Sequence, residues 1–297
     1  MDNNSFYNKR IVDGHYLPSV VAYYFREWNG YNMAFHVHNQ VEIMYVISGR
    51  CTVETEGSAY NMKNGDFIFL DANTPHRLAM EKDQRCRMLN VEFGFVERSK
   101  GEGELNFPSI KEVAACSENL RTMLSKGQPF MVLKDSDEVY HILKTLVIEL
   151  DGADSDSKFM VNSLLNQLIV RIARFASEYD TGDYSMSGLH VKKALEYIHH
   201  NYDCDINVEG IAGAINIHPG YLHRIFKSNT GATVVEYLTS LRIEKAKMLL
   251  EQTDIPIIDI SNYIGINSRQ YFTYIFKKHV GITPYEFRRS FEKVKYK

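Results

Sequence analysis

The chain has 297 residues, about twice the usual length of a single domain, so its length predicts two domains. With 44% apolar and 24% charged residues, its composition excludes a disordered, collagen-like or rod-shaped protein. No apolar run approaches the roughly 18 residues that span a bilayer, and no basic stretch precedes an apolar one at the N-terminus. We therefore expect a cytoplasmic protein with reduced cysteines and no membrane partner.

The formal net charge of −3 hides an uneven distribution along the chain. After Gly188 there are 15 Lys and Arg against 11 Asp and Glu, a charge of +4, and the residues up to Gly188 therefore carry −7. Such an asymmetry suggests that the C-terminal part binds a polyanion and the N-terminal part does not.

Residues 19 to 95 are typical of short strands, because their apolar runs are rich in β-branched and aromatic residues. Turn residues separate these runs at close spacing, which favours an all-β sandwich or barrel. The predicted strands are 20–25, 41–48, 51–56, 66–71 and 87–95.

The apolar period then changes to that of two amphipathic helices, around 137–150 and 159–179. These helices need a partner for their apolar faces, so they either cover the barrel or pair with a second subunit. The small polar residues over 181–188 are typical of an interdomain linker. One apolar stripe of the second helix consists of Leu164, Leu168, Ile172 and Phe175.

The last hundred residues contain an internal duplication. One copy runs from Asn216 to Lys227 and the other from Gly265 to Lys277, with Tyr, Ile, Phe and Lys recurring at an offset of 50. Each copy has a short apolar helix, a turn residue that tolerates positive φ and a second helix. This is the arrangement of a helix-turn-helix motif, and it occurs twice.

Polar side chains lie between the apolar positions of each second helix, where they can bond base edges or phosphates in a major groove. A helical bundle with a polar outer face is the alternative for one copy alone, but two copies in the basic half favour DNA binding. The candidate DNA-binding residues are His218, Gly220, His223, Arg224 and Lys227 in the first copy, and Ser268, Arg269, Gln270, Thr273, Tyr274 and Lys277 in the second.

Residues from about 190 to 292 resemble the DNA-binding domain of AraC/XylS-family transcription regulators. The matching stretches are YLHRIFKSNTGATVVEYLTSLRIEKAKMLL, IIDISNYIG and YFTYIFKKHVGITPYEFRR. The resemblance implies seven helices, with two recognition helices that enter successive major grooves about 34 Å apart. It also implies RNA polymerase as a partner and an activator function. His218 departs from the family, which prefers a serine cap there, and Arg242 matches the Leu-Arg of the family's connecting helix.

The N-terminal half carries a second motif. Residues 30–49 match the first cupin motif, Gly-x5-His-x-His-x3-Glu-x6-Gly, at every defined position, and residues 65–76 resemble the second. Because side chains alternate along a strand, the two histidines of the first motif are predicted to lie on one strand and face the same way. Imidazoles and a carboxylate around an open position suit a divalent transition metal. The candidate ligands are His36, His38, Glu42 and His76.

Three interpretations of these residues stay open. Sensor barrels of the AraC family often keep parts of the motif as a metal-free effector pocket, catalytic cupins use it to bind a metal, and the same histidines can be polar barrel residues with backbone partners. The barrel interior is the place for an effector such as a sugar, with Tyr24 and Tyr45 as candidate stacking residues. Resemblance to the family also favours dimerisation through the stripe of the second helix.

These observations predict a multi-domain α and β protein. A cupin-like effector-sensing β-barrel covers 1–135, two accessory helices form a dimerisation or cover segment over 136–180, a linker spans 181–188, and an all-α double helix-turn-helix domain covers 189–297. The predicted function is a homodimeric DNA-binding transcription regulator, an activator controlled by a small-molecule effector and not an enzyme. The alternative is a metal-dependent cupin enzyme that carries a DNA-binding domain.

Overall fold

The computed structural model describes residues 4–98, 107–134, 137–152, 156–180 and 186–295. The chain divides into two compact units, Met1–Asp183 and Tyr184–Lys297. None of the described helices is both long enough and apolar enough to cross a membrane.

The described part of the N-terminal unit combines an antiparallel β-structure with one short helix before it, two helices between its last two strands and two helices after it. In chain order its elements are α1 (Lys9–Asp13), β1 (Tyr16–Asn29), β2 (Val41–Thr55), β3 (Ser58–Lys63), β4 (Asp66–Leu70), β5 (His76–Ala79), β6 (Arg85–Glu97), α2 (Ile110–Cys116), α3 (Glu118–Lys126), β7 (Phe130–Lys134), α4 (Glu138–Asp151) and α5 (Ser157–Asp180).

Strand β2 organises the β-structure because two sets of strands pair with it. The main sheet has the order β1-β6-β2-β4-β7, while β3 and β5 pair with the later half of β2. The strand changes partners at Gly49, which has φ +88; a Cβ atom there would lie 2.0 Å from the carbonyl oxygen of Arg85. Only glycine fits this close approach, which explains the last glycine of the first cupin motif.

Apolar side chains from both sets of strands fill the interior of the barrel. Met44 and Val46 of β2 are two residues apart, so they lie on the same face of the strand, the one that points into the barrel. Pairs of core residues two positions apart occur on other strands for the same reason. The core contains Trp28, Met44, Val46, Cys51, Val53, Met62, Ile68, Leu70, Leu78, Met80, Cys86 and Met88.

The β-structure is more extensive than the sequence predicts. The predicted strands 41–48 and 51–56 are one strand, β2, which continues through its turn-like Gly49. Strands β3, β5 and β7, which are 6, 4 and 5 residues long, were not predicted. Helices α1, α2 and α3 were missed as well, so the segment 1–135 is not all β; these helices are too short to show a clear apolar period.

Helix α5 packs its apolar stripe against the sheet, which corrects the predicted dimerisation stripe. Leu168, Ile172 and Phe175 are at most 1% exposed within one chain, and Leu164 is half-buried. The ring of Phe175 lies edge-on to Phe67 of β4, with ring centroids 6.3 Å apart. Of the two alternatives for this helix, covering the barrel is therefore the one that the structure shows.

The C-terminal unit is all-helical in its described residues, as predicted. Its helices are α6 (Met186–Asn201), α7 (Val208–Ala214), α8 (Pro219–Thr230), α9 (Val234–Gln252), α10 (Ile257–Tyr263), α11 (Arg269–Val280) and α12 (Pro284–Lys295). The predicted linker needs correction at its end. Residues 186–188 form the first turn of α6, where small polar residues are tolerated, and 181–185 lie outside the described residues.

Two apolar cores divide this unit into two lobes, and α9 contributes to both. Helices α6, α7 and α8 form the first lobe, where Val234 and Leu238 of α9 complete the core. Helices α10, α11 and α12 form the second lobe, whose core includes Ile243, Ala246 and Leu250 of the same helix. The connecting helix is therefore apolar on more than one side because it belongs to both cores.

Candidate DNA-binding surface and cupin site

The two helix-turn-helix motifs have the same backbone geometry. The turn residues Asn216 and Gly265 have φ of +56 and +73, as their residue types predict. In both turns the next residue closes the same hydrogen bond, from Ile217 N–H to Ala212 O at 3.0 Å and from Ile266 N–H to Ser261 O at 2.8 Å. The repeat in the sequence is thus a repeat in structure.

The start of α8 shows how the chain accommodates its departure from the family cap. The N–H of Gly220 donates to His218 Nδ1 at 3.1 Å, so the imidazole caps the helix. A Cβ atom on residue 220 would lie 3.3 Å from this nitrogen, which is a tight contact. An imidazole that accepts at Nδ1 carries its proton on Nε2, a donor suited to a phosphate oxygen. At the start of α11, Ser268 Oγ accepts from Tyr271 N–H at 3.3 Å.

Each recognition helix, α8 and α11, buries one face and exposes the other. Phe226 and Phe276 are fully buried at equivalent positions of the repeat, whereas the predicted DNA-binding side chains are exposed apart from half-buried Thr273. Thr273 Oγ1 donates to the Arg269 carbonyl at 2.9 Å within the helix. The surface that the sequence assigned to DNA is therefore accessible along both helices.

Four polar side chains of the cupin motifs converge at one place in the N-terminal unit. We call His36, His38, Glu42 and His76 the His–Glu cluster. Each of its three histidines offers one ring nitrogen as a metal ligand, and these three nitrogens lie within 4.8 Å of one another. Glu42 lies on β2 and His76 begins β5. The two other histidines lie on an irregular segment before β2, not on one strand as predicted. The backbone N–H groups of His36 and His76 each donate to the carbonyl oxygen of the other at 3.1 Å, and these two hydrogen bonds hold the segment in place.

Glu42 is the centre of the cluster's hydrogen bonds. It is 2% exposed, and its Oε2 lies 3.1 Å from Nε2 of both His38 and His76. Its Oε1 accepts from Asn90 Nδ2 at 2.7 Å. Burial raises the pKa of Glu42, but the bonds from the two histidines outweigh it and hold the pKa at about 2. The carboxylate is therefore charged, and His38 has a raised pKa that its bond to Glu42 causes.

The backbone orients two imidazoles with their Nε2 atoms towards the centre of the cluster. Nδ1 of His38 lies 3.1 Å from the carbonyl oxygen of Gln40, and Nδ1 of His76 lies 2.9 Å from that of Thr74. A carbonyl oxygen only accepts, so both Nδ1 atoms carry hydrogen. Histidines that bind metals are held in this way, with the second nitrogen donating to the protein. His36 Nδ1 is buried and has no hydrogen-bond partner among the described residues.

The two candidate stacking residues lie in different places. Tyr24 is 36% exposed, and its hydroxyl accepts from Asn90 Nδ2 at 3.2 Å, which links it to the His–Glu cluster. Burial and the charge of Glu42 raise the pKa of Tyr24 to about 12. Tyr45 is 3% exposed and stacks on Tyr140 of α4, with ring centroids 5.2 Å apart. Because β2 alternates, Tyr45 faces the helices while Glu42 faces the barrel, so Tyr45 lies on the opposite face of β2 from the His–Glu cluster.

Asn90 contacts the His–Glu cluster and was not predicted from the sequence. It is 3% exposed on β6 and donates to both Glu42 and Tyr24. A signal for it exists in the sequence, since an amide inside an apolar strand is a buried polar group that needs a partner.

Comparison with known proteins identifies both units. A family model described as a helix-turn-helix domain matches residues 211–290, and one described as a cupin domain matches residues 28–92. The lactose operon transcription activator of Staphylococcus xylosus is 25% identical over 264 residues, which cover 88% of either chain. The arabinose operon regulatory protein of Escherichia coli K12 is 29% identical over 142 residues, 48% of either chain.

The chain carries an AraC-type DNA-binding domain, and its curated relatives are AraC-family transcription regulators. It is a DNA-binding regulator that joins a cupin domain to an AraC-type helix-turn-helix domain, which confirms the predicted fold class and the predicted role in DNA-binding regulation. Among solved structures, the C-terminal domain of AraT, a response regulator from Geobacillus stearothermophilus, is 34% identical; the match covers 36% of this chain and 88% of that one, with a TM-score of 0.35.

Proposed function

We propose that this regulator activates a sugar-utilisation operon when a small molecule binds beside the His–Glu cluster. The observation that carries the proposal is a polar, hydrogen-bonded cluster set into an otherwise apolar barrel, next to the exposed ring of Tyr24. Relatives named as a lactose operon activator and an arabinose operon regulator support sugars as the class of effector. The protein acts in the cytoplasm, contacts RNA polymerase and has no catalytic turnover.

Binding of the purified chain to a duplex that it selects from a random library tests this function. The affinity is measured with and without a panel of monosaccharides and disaccharides, over a series of salt concentrations. We expect at least one sugar to change the affinity for the selected duplex, with little change for random DNA. Selective DNA binding that no sugar alters would contradict the effector class and leave the DNA-binding role intact.

We propose that the exposed residues of α8 and α11 contact DNA. Arg269, the first residue of α11, is exposed at the end of the recognition helix that the family directs into the groove. Replacing Arg269 with alanine is expected to weaken binding by about 1–3 kcal/mol and relax specificity, because a bidentate bond to guanine is lost. Competition binding on duplexes with single base changes measures both effects. An equal loss on selected and random DNA would make Arg269 a phosphate contact instead.

A divalent metal fits the His–Glu cluster, and this is the second candidate role for it. His36, His38 and His76 would hold the ion, with Glu42 as a further ligand, because two Nε2 atoms already face the centre and one buried Nδ1 lacks a partner. When bound, the ion would supply a Lewis-acid anchor for an oxygen atom of the effector.

Metal binding can be measured on the full chain after chelation and dialysis. We expect wild type to bind one equivalent of Zn²⁺ or Mn²⁺, and the His36→Ala/His76→Ala double variant to bind it at least about tenfold more weakly, since two ligands are lost. His141→Ala, which removes an exposed histidine of α4, is the matched control. Equal metal binding by wild type and the double variant would place the ion elsewhere. No binding by wild type would leave the cluster to contact the effector directly.

We propose that the regulator is a homodimer, through a surface other than the buried stripe of α5. Ile148 near the end of α4 and Phe159 and Met160 near the start of α5 are 60%, 50% and 38% exposed. Exposed apolar side chains on these helices support a second copy as the partner.

A further inference from the structure

Arg242 lies in α9 at the point where that helix passes from one lobe to the other. Leu238, one turn before it, belongs to the first core, whereas Ile243, directly after it, belongs to the second. A side chain here can reach both lobes without belonging to either core. Arg242 is half-buried, with a long planar guanidinium group that can donate several hydrogen bonds at once.

The guanidinium group of Arg242 holds the loop that joins α6 to α7 in the first lobe. Its Nε donates to the carbonyl oxygen of Tyr202 at 2.7 Å, and its Nη2 donates to that of Cys204 at 2.7 Å. These are short, charge-assisted bonds to backbone atoms, which makes them strong and independent of the loop's side chains.

The turn of the second helix-turn-helix packs against the same loop and the same guanidinium group. A Cβ atom on Gly265 would lie 2.7 Å from the carbonyl oxygen of Asp203 and 2.9 Å from Arg242 Nη2. The equivalent turn residue of the first motif, Asn216, has a similar positive φ yet carries a side chain. Backbone conformation alone therefore does not require glycine at 265; the close approach between the lobes does.

The charges around Arg242 are arranged to keep it in this place. Burial lowers the pKa of its guanidinium, while the carboxylates of Asp205 and Asp203 raise it, and Tyr271 of α11 also faces it. The group stays charged, because arginine is not deprotonated in proteins. Its neighbours thus come from the first lobe's loop and from the second lobe's recognition helix.

We propose that Arg242 is a positioning residue that sets the distance and angle between the two recognition helices, and thereby the spacing of the two DNA segments that the protein reads. Gly265 lies four residues before Arg269, where α11 begins. A contact that holds Gly265 against the first lobe therefore fixes the start of α11 relative to α8. Two joined modules bind one duplex together only when their separation matches that of the sites. The proposal rests on the proposed use of α8 and α11 as DNA readers.

The test compares spacing preference in wild type and in Arg242→Ala. The full chain selects a duplex from a random library, and versions with one base pair inserted or deleted between the two recognised segments are then prepared. For wild type, we expect each change to weaken binding at least about tenfold, since one base pair rotates one site relative to the other. For Arg242→Ala, we expect about tenfold weaker binding to the selected duplex, with the penalty for altered spacing reduced to about threefold or less.

Arg288→Ala is the matched control. Arg288 Nη2 donates to the carbonyl oxygen of Ile255 at 2.6 Å, a bond of the same kind that stays within the second lobe. We expect this variant to keep the spacing preference of wild type even if its overall affinity falls. Arg242→Lys serves if the alanine variant does not fold, since lysine keeps the charge but not the planar fork of donors; its spacing penalty should also shrink.

A spacing penalty in both Arg242 variants equal to that of wild type would overturn the proposal. Duplexes that contain only one of the two recognised segments distinguish this failure from a failure of the assignment of α8 and α11 as DNA readers. If α8 and α11 are not the readers, Arg269→Ala will leave sequence preference unchanged as well. If they are, Arg242→Ala should bind the single-segment duplexes as wild type does.

Discussion

Replacing Phe175 with alanine is expected to lower the free energy of unfolding of the N-terminal unit by about 3–5 kcal/mol. Phe175 is 1% exposed and packs edge-on against Phe67, so alanine leaves a cavity between α5 and the sheet. Trp28 is the only tryptophan and lies in the barrel core, so its fluorescence during denaturant unfolding reports this unit specifically.

Phe159→Ala is the matched control on the same helix. Phe159 is 50% exposed, although its ring lies 5.7 Å from that of Phe107, so we expect a loss of about 1 kcal/mol or less. Self-association is measured by sedimentation under conditions in which both variants are folded. Phe159→Ala should weaken it, whereas Phe175→Ala should not. A Phe175 variant of normal stability that no longer self-associates would restore the dimerisation role that the sequence suggested.

Replacing Glu42 with alanine is expected to cost about 3–5 kcal/mol, measured through Trp28 in the same way. The substitution removes the common acceptor of His38, His76 and Asn90, so each of these donors loses a hydrogen bond at a site where His76 and Asn90 are buried. Removing one partner of a buried charged pair costs more than the pair contributes, because the remaining groups are desolvated without compensation.

Glu54→Ala is the control for Glu42→Ala. Glu54 also lies on β2 and pairs with Arg77 at 2.7 Å, but its side chain is 26% exposed, so we expect a cost of about 0–1 kcal/mol. Glu42→Gln should fall between the two variants, because the amide still accepts hydrogen bonds but carries no charge. Equal costs for Glu42→Ala and Glu54→Ala would show that the cluster does not stabilise the barrel.

Local features of the sequence specify the repeat in the C-terminal unit. The helix-turn-helix motifs depend on local features, such as the positive φ of Asn216 and Gly265 and the caps at His218 and Ser268. Local conformational preferences act in the same way in any fold, so the sequence predicted both turns and both recognition helices. It also predicted the exposed face of each helix, because a period of 3.6 residues separates apolar from polar positions.

Contacts between residues far apart in the chain specify much of the N-terminal unit. The cupin motifs predicted that four residues would meet, but not that His36 and His38 lie on an irregular segment held by backbone bonds to β5. Asn90 and Tyr24 join Glu42 through strand pairing, which depends on register between residues far apart in the chain. The short strands β3, β5 and β7 owe their structure to partners, since isolated segments of this length have little preference of their own.

By itself, the sequence determined the resemblance to AraC-type regulators, the two-part architecture, the double helix-turn-helix and the residues of the His–Glu cluster, because motifs and periodicity are local properties. Only the tertiary structure decided that the stripe of α5 covers the sheet, that Tyr45 faces the helices and that Arg242 meets both lobes. An apolar face shows that a helix must be buried, but not against what. The choice between a sheet and a second subunit is made by the shape of the surface that the rest of the chain presents.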